Sequence, residues 1–151
     1  MIKLFTTPSC LGCKNAKKFF EENNVEIIEK DFTKVKLEPQ EVKDILSLTE
    51  YGMDDLIATK SAAYKKIKAS IEDMPLNDVI DFIIDHPEVI HRPIIIQYVN
   101  NLPLRLLIGY NNSDITIFLS TDYQKFHKYV PCNFGACLSE HNRKEFKNEV
   151  D

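Results

Sequence analysis

The chain has no basic excess. Its 151 residues carry 19 Lys and Arg against 23 Asp and Glu, a formal net charge of −4. Phosphate neutralisation supplies most of the affinity of a DNA-binding protein, so this balance argues against a protein that holds DNA alone. It favours a protein partner or a small ligand. No helix-turn-helix pattern is visible. No apolar run approaches the ~20 residues of a membrane span, and the opening Met1 to Thr7 lacks the apolar core and small-residue cleavage site of a secretory signal. These absences set the expectation of a soluble, cytoplasmic protein with no membrane partner. No internal repeat and no low-complexity segment occurs. In a reducing cytosol, paired cysteines point to redox chemistry or metal binding more than to permanent staples.

What is present is an ordinary globular balance, 44% hydrophobic and 28% charged. The length fits one domain, or one domain with an inserted lobe, and a chain of this size buries roughly 70% of its unfolded surface without disulfides. Residues 2–6 form a short apolar run ending at Pro8, which reads as a buried strand. Ser9 is placed to cap a helix over 11–23, whose apolar face is Ala16, Phe19 and Phe20. Val25, Ile27 and Ile28 supply β-branched bulk for a second strand over 25–32. The character then changes. Val42, Ile45 and Leu46 after Pro39, a short stretch over 61–67, and Leu76, Val79, Ile80 and Ile83 all have helical spacing, with a break at Tyr51-Gly52. Strand signals return at Pro93-Ile94-Ile95-Ile96 and over 104–110, joined by Asn100-Asn101, a pair suited to a hairpin turn. Residues 114–119 start a closing helix.

The order β-α-β, then helices, then β-β-α predicts an α/β fold: a thioredoxin-like sheet with an inserted all-helical lobe. The sheet domain is discontinuous, 1–36 plus 87–120, and the lobe is 37–86. The tail, 121–151, is polar and mixed, with no clear structure.

Cys10-Leu11-Gly12-Cys13 stands after the first strand and at the start of the first helix. Unpaired N–H groups and the macrodipole favour a thiolate there, and such a position can bring a cysteine pKa down from about 8.5 to roughly 3.5–7.5. Cys10 is the expected nucleophile and Cys13, one turn later, the resolving thiol. Lys14, Lys17 and Lys18 add positive charge, and Gly12 is expected to leave the approach open. Two alternatives stand beside the redox reading: a buried cysteine pair with no chemistry, and half of a tetrahedral zinc site. Strand-CxxC-helix in a βαβ context is the thioredoxin-like signature.

Arg92-Pro93 is the second informative pair. In thioredoxin-like folds a proline, usually cis, precedes the third strand beside the CxxC. Pro93 in that place brings Arg92 near Cys10, where it stabilises the thiolate or binds an anion. The bland alternative is an exposed surface arginine. His86 and His91 read as loop or cap residues. In the tail, His127, Cys132, Cys137 and His141 are spaced x4, x4 and x3. A metal site, a tail disulfide and independent thiols all fit that spacing; no metal and no cofactor is assigned.

Pro8-Ser9-Cys10-Leu11-Gly12-Cys13-Lys14-Asn15-Ala16 resembles the opening motif of the Spx family of bacterial transcription regulators, which share a thioredoxin-like fold group with glutaredoxin-coupled arsenate reductases. The likeness continues in order through Leu48-Thr49-Glu50-Tyr51-Gly52, Thr59-Lys60-Ser61, Met74-Pro75-Leu76, Arg92-Pro93-Ile94-Ile95-Ile96 and Gly109-Tyr110-Asn111, so it covers about residues 1–120.

The resemblance implies an adaptor for the C-terminal domain of the RNA polymerase α subunit, with Gly52 at that contact, Arg92 responding to the CxxC, and Cys10–Cys13 oxidation tuning activity. It implies that DNA is met only within the polymerase complex, and that the free protein is a monomer. Lys60 stands where the family usually has arginine, and an ammonium lacks the guanidinium fork. The tail cysteines have no counterpart in that pattern.

The competing class is an enzyme: an arsenate reductase, or a small thiol oxidoreductase. An arsenate reductase uses an arginine set to hold the oxyanion. Here Arg92 is present, Lys60 is a weak substitute, and the third arginine is not evident, though Arg105 is close in sequence to Tyr110. Cys13 also adds an internal resolving thiol that a glutathione-coupled enzyme does not need. The expectation is therefore a regulator, not an enzyme.

Overall fold

The computed structural model describes residues 1–60, 62–71 and 73–119. The tail residues His127, Cys132, Cys137 and His141, and Ser61, lie outside the described residues. In chain order the elements are β1 (Ile2–Thr6), α1 (Leu11–Glu22), β2 (Ile28–Asp31), α2 (Pro39–Ser47), α3 (Met53–Leu56), α4 (Ala62–Ile71), α5 (Leu76–Asp85), a 3₁₀ turn at Pro87–Val89, β3 (Ile94–Val99), β4 (Leu102–Ile108) and a second 3₁₀ turn at Asp114–Leu119. This is the α/β, thioredoxin-like succession expected from the sequence.

The sheet order is β2-β1-β3-β4. β1 runs parallel to β2 and antiparallel to β3, and β4 is antiparallel to β3. The central strands explain the continuous apolar run at 94–96. Successive side chains point to opposite faces, and both faces are covered. Phe5, Ile94 and Ile96 pack with Val42, Ile45, Val79, Ile80 and Ile83 of α2 and α5. Ile2, Leu4 and Ile95 pack with Ala16 and Phe20 of α1 and with Ile115 and Phe118. Residues 37–86 thus supply helices whose apolar stripes share one core with the sheet. No helix among the described residues is long and apolar enough to cross a membrane.

Four local expectations change. The second strand is Ile28–Asp31 rather than 25–32: Val25 and Ile27 turn inward against the α1 face before the strand begins, and Ile28 stays half-exposed. The fourth strand starts at Leu102, right behind Asn100 and Asn101, which both take the positive φ that a tight hairpin demands. The helix expected over 61–67 runs instead as α4, Ala62–Ile71. The closing helix is a 3₁₀ turn.

α2 carries a feature the apolar pattern does not show. Glu41 is buried between the helix and the sheet. Its carboxylate accepts from Lys3 Nζ (2.9 Å), Lys30 Nζ (2.6 Å) and the Glu38 N–H (3.0 Å). One side chain thereby ties α2 to β1 and β2 and closes the first turn of its own helix.

Candidate functional site

β1 ends at Thr6 and the chain turns through Thr7, Pro8 and Ser9 into α1. The Cys10 N–H donates to the Thr7 carbonyl oxygen at 3.2 Å. Residue type favours Ser9 as the cap, but the N-cap is Cys10, and its sulfur accepts the Cys13 N–H at 3.2 Å. The nucleophile expected from the sequence therefore occupies the place where free helix N–H groups stabilise negative charge. Cys10 is partly exposed and Cys13 is buried.

The two thiols are not equivalent. Burial pushes the Cys13 thiol up from its ordinary 9.0 to about 12, and its hydrogen bond with Cys10 adds to that. A backbone hydrogen bond at Thr7 and the charge of Arg92 pull the other way without reversing it. At neutral pH Cys13 is a protonated, enclosed thiol, and it has to give up that proton to attack the Cys10 sulfur, because the thiolate is the nucleophile.

Gly12 does not leave the approach open, as its small size suggests. A Cβ there would lie 3.1 Å from Pro93 Cδ and 3.2 Å from Tyr110 Cβ, with the Arg92 carbonyl oxygen at 3.9 Å. Glycine fits here because α1 lies close against Pro93 and Tyr110, and a larger residue would require those side chains to give by a few tenths of an ångström. The Arg92-Pro93 peptide is cis, and the Pro93 carbonyl oxygen accepts the Gly109 N–H at 2.7 Å. The CxxC, Arg92-Pro93 and Gly109-Tyr110 are thus brought together at one end of the sheet. Nothing in the sequence singles out Tyr110 as a packing partner of the CxxC, although it stands in one of the matched segments.

Arg92 is exposed, and its charge reaches Cys13. Lys60 is exposed in the turn after Ile57, and an antiparallel bridge from Ile57 to Ile90 ties that segment to the one carrying Arg92. Arg105 pairs in register with Gln97, which in turn pairs with Ile2, and its guanidinium donates to the Ile117 carbonyl oxygen. The CxxC follows the other end of β1, about 13 Å further along at the usual rise per residue, so Arg105 does not supply the missing anion-binding arginine.

Gly52 is the N-cap of α3, with φ +63° and open space where a Cβ would stand. Tyr51 beside it is 68% exposed. Among the described residues, no group of His, Cys, Asp and Glu is placed to hold a metal ion.

Residues 5–118 match the ArsC family. The chain is 36% identical over 126 residues to proteins named global transcriptional regulator Spx from Bacillus subtilis (strain 168) and Staphylococcus aureus (strain NCTC 8325 / PS 47), covering 83% of this chain and 92% of each relative. Among solved structures, the YFFB protein superposes with TM-score 0.63 at 17% identity, covering 78% of this chain and 97% of that one. An arsenate reductase from Vibrio cholerae superposes with TM-score 0.58 at 16% identity, covering 78% and 94%. At those identities the structural likeness establishes the fold.

Proposed function

This chain belongs to the Spx family of bacterial transcription regulators, within the wider ArsC family, and we propose that it is a redox-sensing regulator that binds the C-terminal domain of the RNA polymerase α subunit. The switch is a disulfide between Cys10 and Cys13: the Cys10 thiolate is oxidised by a peroxide-class oxidant, Cys13 attacks its sulfur, and water leaves. The observation that carries the reading is the unequal pair at the start of α1. The sulfur of a partly exposed cysteine caps the helix, one turn before a buried thiol that can close on it.

Gly52 is the contact with the polymerase domain. Its Cβ direction is open, so a partner's backbone can come close. Arg92 acts on the protein's own cysteines, with Lys60 as a weaker second cation. DNA is met only inside the polymerase complex, because the net charge of −4 supplies little phosphate attraction. The free protein is a cytoplasmic monomer.

The second reading is an arsenate reductase or small thiol oxidoreductase, favoured by Arg92 beside the CxxC. The placement of Arg105 counts against it. Co-purification of the full chain with the isolated C-terminal domain of the polymerase α subunit separates the two: a regulator is retained, and a free-standing enzyme passes through.

A further inference from the structure

β4 is an edge strand of the sheet. A groove of about 650 Å³ is lined by Leu106, Leu107 and Ile108 of that edge and by the carboxylates of Glu50, Asp55 and Asp114. We propose that this edge is a docking site for an extended segment of a partner protein that carries two adjacent basic residues, bound as an added strand beside β4. The site does not rest on the polymerase reading, and it stands or falls independently of whether the chain meets polymerase.

The ladder between β3 and β4 fixes which backbone groups are free. The Gly109 N–H donates to the Pro93 carbonyl oxygen, just beyond the pair Ile94 and Ile108. In an antiparallel ladder this makes Ile94 and Ile108 a non-hydrogen-bonded pair, and by alternation Ile96 and Leu106 are the next. The N–H and C=O groups of Leu106 and Ile108 therefore point away from β3. Neither residue has a backbone partner outside the ladder among the described residues. Edge strands are usually blunted by charge or proline. β2, at the opposite edge, shows Glu29, Lys30 and Asp31. In β4, Pro103 and Arg105 serve the first half, and Leu106 to Ile108 has neither device.

The charge around the groove selects the occupant. Three carboxylates and no lysine or arginine line it among the described residues. Asp55 accepts the N–H groups of Glu50 and Tyr51, each at 2.9 Å, which hold its charge in place without cancelling it. Glu50 and Asp114 are exposed, and no salt bridge among the described residues engages either. The carboxylates flank the edge from opposite faces. Leu48, two residues before Glu50, joins the same core as Leu106 and Ile108, on the face covered by α2 and α5. Ile115, next to Asp114, joins the core of Leu107, on the face covered by α1. Successive side chains of an added strand point to opposite faces. Two adjacent basic residues thus meet Glu50 and Asp55 on one face and Asp114 on the other, a complementarity that fixes register. The free backbone groups supply the pairing itself.

The test titrates a capped peptide, Thr-Val-Lys-Arg-Val-Thr, into the reduced full chain at low ionic strength, followed by calorimetry. Saturable binding is expected. Glu50→Gln and Asp114→Asn should each weaken it about threefold, the scale of an exposed ion pair. Asp78→Asn, at an exposed acid of α5 outside the groove, should leave affinity unchanged. Strand pairing has its own signature, because alternate N–H groups of a strand face its neighbour. N-methylation of one alternate set of peptide residues should abolish binding, and methylation of the other set should spare it. Absence of saturation overturns the proposal, as does equal binding of Thr-Val-Gln-Gln-Val-Thr or an equal response to both methylation sets. So does parental affinity in Glu50→Gln and Asp114→Asn, or an equal loss in Asp78→Asn. Sedimentation of the chain alone as a dimer that the peptide dissociates would give the edge to a second copy and overturn it too.

Discussion

The sulfur of Cys10 accepts the backbone N–H of Cys13 at 3.2 Å. The first cysteine is thus the cap of the helix turn that carries the second. One geometry does two things: it offers N–H dipoles to a thiolate on Cys10, and it holds the Cys13 side chain one turn away under cover.

Alkylation near pH 8 should therefore modify Cys10 quickly and leave Cys13 untouched until the fold opens. Mild peroxide should remove two hydrogen masses from the peptide containing both, reversibly. A disulfide from either residue to Cys132 or Cys137 as the main product would contradict the pairing. A pH signature follows from the raised Cys13 thiol. The unfolded chain loses that proton near pH 9 while the native state keeps it to about 12, so native stability should fall across this window. The fall should be smaller in Cys13→Ala, measured by urea denaturation.

Glu41 should behave in the opposite sense. Burial raises its carboxyl, but the Glu38 N–H and the two lysine bonds together outweigh that and hold it below its ordinary 4.5. Its contribution is present above that value and is lost as pH falls through the lowered one. Glu41→Ala removes the shared partner of Lys3 and Lys30 and should cost roughly 3 kcal/mol, the low end for breaking a buried ion pair, because both lysines can turn to water. A urea midpoint equal to the parent's would show that the pairing adds nothing.

At Gly52 the backbone, not the space, sets the penalty. With φ +63°, any side chain should cost roughly 1–2 kcal/mol. Gly52→Ala and Gly52→Arg should thus lose similar stability by thermal unfolding. Only the arginine variant should lose the polymerase α domain in a binding assay. Equal binding by the parent and both variants would remove Gly52 from the interface.

The enzyme alternative has its own outcome. With arsenate, glutathione and a coupled NADPH readout, the chain should show no arsenate-dependent turnover above background. Arg92 is the one guanidinium among the described residues placed at the CxxC end of the sheet; Lys60 cannot fork and Arg105 sits near the start of β1. Turnover in the usual enzyme range of ~1–10³ per second would overturn the regulator reading.

Much of this was legible in the residues because it rests on period and punctuation. Ile94, Ile95 and Ile96 announce a strand buried on both faces, Asn100-Asn101 tolerates the left-handed turn, and the CxxC stands where a strand hands over to a helix. What escaped depends on tertiary contact. Ser9 is the better cap by residue type, yet Cys10 takes the role because the Thr7 turn places its sulfur over the first N–H groups. Gly12 reads as openness in one dimension; only the fold shows Pro93 and Tyr110 pressed against it. Glu41 reads as a surface charge between Gln40 and Val42, because the lysines that make its burial tolerable come from other elements.

The most direct test of the account is the affinity of the full chain for the isolated C-terminal domain of the polymerase α subunit. It should be measured by calorimetry with the Cys10–Cys13 pair fully reduced and again fully oxidised. A switch requires the two dissociation constants to differ by about fivefold or more, the low end of measured coupling between sites, and Cys10→Ser should remove the difference. Binding of equal strength in both states, or no binding in either, would contradict the claim that this cysteine pair controls a polymerase adaptor.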